Sequence, residues 1–204
     1  MVVHGEVWDD AHAHALALAG PEQVLVHPFD DPDVWTGDAS LVHELAHDLP
    51  ERPGTLLVAV GGGGLLLGVL QGLVEVGWTD VDVVAVETHG AGSLHASLAA
   101  DTLVTLPAID SIALTLGAKQ VAAQAFERAR DWPVRSLTVS DTAAVEALQQ
   151  LHREHRLLVE PACGAALAPL FDGTSLRGPV VAIVCGGASA TPSALDAWKD
   201  VAAG

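Results

Sequence analysis

Short runs of β-branched and aliphatic residues alternate along this chain with stretches of helical periodicity, and that alternation sets the expected elements. Helical character covers Glu6 to Ala19, VLVHP (24–28) has strand composition, and SLVHELAHDL (40–49) is helical until Pro50 stops it. LLVAV (56–60) predicts a strand, Leu65 to Val76 a helix, and VDVVAVE (81–87) a strand that runs into a polar loop. A helix near Val121 to Arg130, a strand at SLTVS (136–140) and a helix that Asp141 is placed to cap come next. A helix from Pro161, a strand at VVAIVC (180–185) and a terminal helix from Ser193 complete the pattern. Apolar strands separated by helices predict an α/β fold whose mostly parallel sheet carries helices on both faces. No linker, low-complexity tract or internal repeat interrupts it.

Sheets of that kind bind ligands at the carboxyl ends of their strands. Here those ends read Gly61, Gly62, Gly63 and Gly64 after the first core strand, Glu87 after the second, and Cys185-Gly186-Gly187 after the last. Four adjacent glycines lose several times the roughly 0.5–1 kcal/mol of chain entropy that one glycine loses on folding. A strand that enters such a turn and then a helix N-terminus presents free N–H groups to one point, which suits a phosphate. The second glycine pair suggests a flat ligand lying against backbone at two places.

Composition narrows the functional classes. Nine Lys and Arg against 26 Asp and Glu give a formal charge of −17, a field that repels nucleic acid and anionic membrane. Two cysteines without CxxC spacing suggest neither a disulfide framework nor a zinc ribbon, and no basic, apolar signal segment opens the chain. An intracellular, cytoplasmic setting fits. The uncharged stretch from Thr55 to Val74 is 20 residues long, enough to cross a bilayer, but its glycine block reads better as strand, loop and buried helix.

Three chemistries compete for this pattern. A dinucleotide site would use Glu87 on a ribose, although Leu66 or Leu67 stands where G-x-G-x-x-G needs its third glycine. A P-loop needs G-K-[ST], and the only lysines are Lys119 and Lys199. His43-Glu44-Leu45-Ala46-His47 matches the H-E-x-x-H of zinc metalloproteases, but Pro50 follows closely and no third ligand is evident. A solvated helix face is the preferred account of it, as it is of the pairs His12/His14 and His152/His155, and the metalloprotease is a remote alternative.

PFDDPDVWTGDASLV (28–42), VAVGGGGLLLGVLQGLVEVGW (58–78), ETHGAGSLHAS (87–97), VEPACGAALA (159–168) and IVCGG (183–187) together resemble the L-serine dehydratase/L-threonine deaminase family. The resemblance implies a fold type II, tryptophan synthase β-like enzyme dependent on pyridoxal 5′-phosphate. It implies that Gly61, Gly62, Gly63, Gly64 and Leu65 offer N–H groups to the cofactor phosphate. Cys185, with Gly186 beside it, would face the pyridine nitrogen. Glu87, Ala91 and Ser93, with backbone of Leu116 and Ala118, resemble that family's monovalent-cation site, for which potassium is suited.

The same resemblance implies a Schiff-base lysine in an N-terminal stretch, followed by a substrate-gripping serine/glycine/asparagine loop. Neither Lys119 nor Lys199 stands in such a motif, so no catalytic lysine is assigned. Residues 1–204 therefore read as the N-terminally incomplete, cofactor-phosphate-binding part of the enzyme, short of about 100 residues. The expected partners are an amino-acid substrate and either a second copy in a homodimer or the missing segment. A non-catalytic pyridoxal-phosphate- or nucleotide-binding domain is the alternative at the level of class.

Overall fold

The computed structural model describes residues 2–202; Met1 and residues 203–204 of the expected 1–204 unit lie outside the described residues. Twelve helices and strands follow in chain order: α1 (Trp8–Leu18), α2 (Pro32–Asp48), β1 (Thr55–Ala59), α3 (Gly64–Glu75), β2 (Asp82–Thr88), α4 (Ser93–Ala100), α5 (Ala123–Asp131), β3 (Val134–Val139), α6 (Asp141–His155), α7 (Pro161–Leu167), β4 (Val180–Ala182) and α8 (Pro192–Ala202). All sheet pairings are parallel, in the order β3-β2-β1-β4. Alternate residues of β1 and β2 face opposite helical layers. Leu56, Val58, Val83 and Ala85 pack with Leu66 of α3 and Phe126 of α5, whereas Leu57, Ala59, Val84 and Val86 pack with Leu148 of α6 and Ala165 of α7. The parallel α/β sheet covered on both faces is thus as expected.

Chain order explains the two layers. From β1 the chain winds outward through β2 to β3 with α3, α4 and α5 on one face, then returns beyond β1 to β4 with α6 and α7 on the other. Parallel crossovers are right-handed, so reversing direction across the sheet moves the connection to the opposite face. The reversal leaves a crevice between the carboxyl ends of β1 and β4. The glycine block follows β1 and Cys185 follows β4, so both turns stand at this crevice.

Helix α3 is the densest part of the outer layer. Leu66, Val69 and Leu73 are fully buried, each contributing roughly 2 kcal/mol relative to exposure. Glycine lets α2 approach it: a Cβ at Gly72 would stand 2.7 Å from the Ala39 carbonyl oxygen. The apolar stretch 55–74 is accordingly a strand, a turn and a helix, and no helix among the described residues is long and apolar enough to cross a membrane.

Several boundaries differ from expectation. The VLVHP segment is not a strand; Val24 and Val26 are 87% and 68% exposed, and the local pairing is a single bridge between Gly20 and Gln23. β-Branched composition favours extended backbone, but a strand needs a neighbour for its N–H and C=O groups. Helix α2 starts at Pro32, well before residue 40, because the Asp31 side chain accepts from the Asp33 N–H at 2.9 Å and Pro32 fits the first turn. Helix α4 occupies what reads as a polar loop. Ser140, not Asp141, caps α6, its hydroxyl accepting from the Ala143 N–H at 3.1 Å; the Asp141 carboxylate instead accepts from the Ser111 hydroxyl and the Ile112 N–H. Regular pairing of β4 stops at Ala182, although Ile183 still donates to the Leu57 carbonyl at 3.1 Å.

Candidate functional site

The turn after β1 is shaped by close approach on every side. A Cβ at Gly62 would lie 2.3 Å from the Phe29 ring, one at Gly64 2.8 Å from the Phe29 Cα, and one at Gly61 3.0 Å from the Leu116 Cα. Gly63 adopts φ 95°, a left-handed conformation that side chains resist, and a Cβ there would meet the Ala125 methyl at 2.6 Å. Held this way, the turn feeds directly into α3. Among the described residues, no hydrogen bond uses the N–H groups of Gly61 through Leu65. Five free donors at the positive end of a 12-residue helix form a cradle that fits a phosphate.

The cradle opens into a cleft of about 640 Å³. Trp8 of α1 and Phe29 stand together on its near side, ring centroids 4.6 Å apart, while Cys185 and Gly186 line it at the end of β4. Gly186 has φ 76°. Cys185 is half-buried and packs with the fully buried Cys163 of α7. Hydrogen bonding to Cys185 and burial push the Cys163 thiol up, so Cys163 stays protonated; as the donor it lowers the Cys185 thiol, against the opposing effect of burial. Glu160 also lines the cleft, a buried carboxylate that sequence reading did not single out. Its one sequence signal is an acid directly before Pro161, the mark of a helix start.

Glu87, the penultimate residue of β2, is fully buried. Its two oxygens accept from the N–H groups of Leu94 at 2.8 Å and His95 at 2.7 Å, in the first turn of α4. Burial nonetheless raises its carboxyl to about 7, against the lowering effect of those bonds and of the Ser93 N–H. The Ser93 hydroxyl oxygen beside it is buried without a hydrogen-bond partner. An orphaned hydroxyl next to a carboxylate that burial disfavours fits a hard cation. Ala91 and Leu116 are buried in one apolar cluster, and Ala118 follows shortly after Leu116.

The remaining candidates are accounted for by ordinary contacts. His43 pairs with Glu75 at 2.8 Å, His47 is exposed beside Asp48 at 4.0 Å, and the described residues hold no group of three or more side chains suited to a metal ion of the zinc class. Lys199 pairs with Asp196 at 2.8 Å on α8, and neither lysine lines the cleft.

A parallel α/β sheet with a phosphate cradle at its switch point and a thiol-bearing turn opposite defines a class of nucleotide- or phosphocofactor-binding folds. The family profile described as "Pyridoxal-phosphate dependent enzyme" matches residues 1–186, and the chain belongs to that family. It is 47% identical over 211 residues to the Homo sapiens "L-serine dehydratase/L-threonine deaminase", covering 97% of this chain and 64% of that protein. It is 49% identical over 209 residues to the Homo sapiens "Serine dehydratase-like", covering 96% and 63%. The solved fungal L-serine ammonia-lyase from Rhizomucor miehei superimposes with a TM-score of 0.91 at 35% identity, covering 98% of this chain and 66% of that one. The fold is therefore that of the fold type II pyridoxal-phosphate enzymes. The chain spans 64% and 63% of the lengths of these two human relatives.

Proposed function

We propose that residues 1–204 are the carboxyl-terminal, cofactor-phosphate-binding part of an L-serine/L-threonine ammonia-lyase, which eliminates the β-hydroxyl and yields pyruvate or 2-oxobutanoate with ammonia. The observation that carries this reading is the row of free N–H groups from Gly61 to Leu65, in a family defined by a phosphorylated cofactor. When bound, pyridoxal 5′-phosphate supplies the electron sink that acidifies the amino acid's α-hydrogen.

The chain's own residues take the following parts. Gly61, Gly62, Gly63, Gly64 and Leu65, with their unused N–H groups, would hold the phosphate. Cys185, with Gly186 beside it, lines the ring end of the cleft and would be the residue offered to the pyridine nitrogen; a thiol is a weak donor and would leave that nitrogen largely unprotonated, which suits β-elimination. Glu87 and Ser93, with backbone of Ala91, Leu116 and Ala118, would hold a monovalent cation such as potassium, a reading supported by the orphaned Ser93 hydroxyl. No lysine lines the cleft among the described residues, so on this reading a lysine from outside them would hold the cofactor covalently and move the α-proton. That same observation favours a second reading, a non-catalytic cofactor-binding domain. A cytoplasmic homodimer is the assembly this reading expects, and the charge of −17 disfavours nucleic acid and anionic membrane as partners.

Complementation separates the two readings. Pyruvate release from L-serine is measured for the chain alone and after a lysine-bearing N-terminal segment of a full-length relative is fused to it or added in trans. Restoration of turnover supports the lyase part; a complex that forms, binds cofactor and stays inactive supports the binding-only domain.

A further inference from the structure

Glu160 is the one acidic side chain among the described residues that line the cleft, and it is only 5% exposed. It occupies the N-cap position of α7, where a short polar side chain ordinarily bonds to its own helix, yet it makes no such bond. Its carboxylate reaches outward instead. Oε1 accepts from both the N–H and the hydroxyl of Ser189, each at 2.9 Å, and Oε2 accepts from the hydroxyl of Thr115 at 3.2 Å. Burying a carboxylate is unfavourable unless such bonds replace water. Three donors converge on one carboxyl group, whose two oxygens have the lone pairs to accept from all three.

The partners sit on separate segments. Thr115 precedes Leu116, whose Cα stands against Gly61 of the phosphate cradle, and Ser189 belongs to the loop that carries Cys185 and Gly186. The Glu160 N–H also donates to the Gly186 carbonyl at 3.3 Å.

We infer that Glu160 is the positioning residue of the ring end of the cleft: its carboxylate ties the 185–189 loop to the 114–116 turn, setting the slot for a flat, anionic pyridine-aldehyde cofactor and the placement of Cys185 at that ring's edge. This rests on the reading under Proposed function. The negative charge has a second consequence for the thiol. Glu160 and, from α2, Asp38 disfavour ionisation of Cys185, whereas the thiol donated by Cys163 on α7 favours it. Glu160 therefore works against the lowering of the Cys185 thiol that the Cys163 hydrogen bond drives.

The test uses the intact chain and the variants Glu160→Gln, which keeps shape and removes charge, and Ser189→Ala, which removes a partner and keeps charge. Equilibrium dialysis compares pyridoxal 5′-phosphate, which needs both ends of the cleft, with inorganic phosphate, which needs the cradle. Alkylation of Cys185 against pH, read by peptide mass spectrometry apart from Cys163, reports the charge. Thermal unfolding monitors the fold. Glu160→Gln is expected to weaken pyridoxal phosphate about tenfold, leave inorganic phosphate unchanged and move the Cys185 profile to lower pH. Ser189→Ala is expected to weaken pyridoxal phosphate less and leave the profile in place. Unchanged pyridoxal-phosphate binding in Glu160→Gln, equal loss of both ligands, or an unmoved Cys185 profile each overturns the inference. Failure of the unaltered chain to bind pyridoxal phosphate removes the proposed function instead, and the Cys185 profile still decides whether the carboxylate acts on the thiol.

Discussion

The two turns that flank the crevice achieve their shapes by different means. After β1, packing against Phe29, Leu116 and Ala125 leaves no room for a Cβ, and the chemistry presented is a row of backbone donors. After β4, side chains dominate: Cys185 packed beside the free thiol of Cys163, and Ser189 held by Glu160. A backbone site depends on conformation and space, so a single added side chain destroys it. A side-chain site depends on charge and hydrogen bonding, so its members can be altered with graded effect.

The comparison predicts its own largest break. Gly63→Asp needs φ 95° from a residue with a Cβ, pushes that Cβ within 2.6 Å of the Ala125 methyl, and sets a carboxylate in the cradle proposed for the phosphate. Pyridoxal phosphate and inorganic phosphate should both lose affinity by about a hundredfold or more, read by dialysis. Equal binding by this variant contradicts a cradle at the glycine turn.

A third strand end sharpens the contrast, because Glu87 combines a buried charge with backbone donors. Its folded carboxyl is raised from 4.5 to about 7, so the protonated form is the favoured one inside. Below pH 4.5 the folded and unfolded states are both protonated and nothing is lost. As pH rises through about 7, stability falls by roughly 3 kcal/mol unless a cation offsets the buried charge. Thermal unfolding should show potassium stabilising the chain more at pH 8 than at pH 5, and Glu87→Gln should flatten the pH dependence. Potassium effects that are the same at both pH values, or that survive Glu87→Gln, contradict the cation site.

At the β4 turn, Cys185→Ala removes a weak donor and leaves the cradle intact, so pyridoxal-phosphate affinity should fall only about threefold. A loss as large as that of Gly63→Asp would erase the distinction between the two turns. The smallest effect belongs to the exposed His47: His47→Ala should leave zinc binding, followed by calorimetry, at the level of an isolated surface histidine. Stoichiometric zinc abolished by this variant would revive the H-E-x-x-H reading.

Legibility in the sequence follows the same division. Backbone features announce themselves locally, so Gly61–Gly64, the apolar strands and α3 could be read from pattern alone. Side-chain features assemble from distant segments. Glu160, Ser189 and Thr115 have no shared spacing, and only the return of β4 beside β1 brings them to one place. The error at VLVHP has the same origin. Its composition states a preference for extended backbone, while the missing ingredient, a neighbouring strand, is not a local property. Helix α2 was legible in principle from Asp31-Pro32, a cap followed by a first-turn proline, but its early residues lack the apolar periodicity by which helices are traced.

The central claim is a cleft proposed to grip the cofactor's phosphate by backbone and its ring by side chains, with no lysine among its described lining residues. Reversible binding of pyridoxal 5′-phosphate followed by borohydride reduction and peptide mass spectrometry tests it most directly. The account predicts saturable binding that dialysis reverses, and no pyridoxyl adduct at Lys119 or Lys199 beyond the scattered labelling of exposed amines. Stoichiometric modification of either lysine, or the absence of saturable binding, would contradict it.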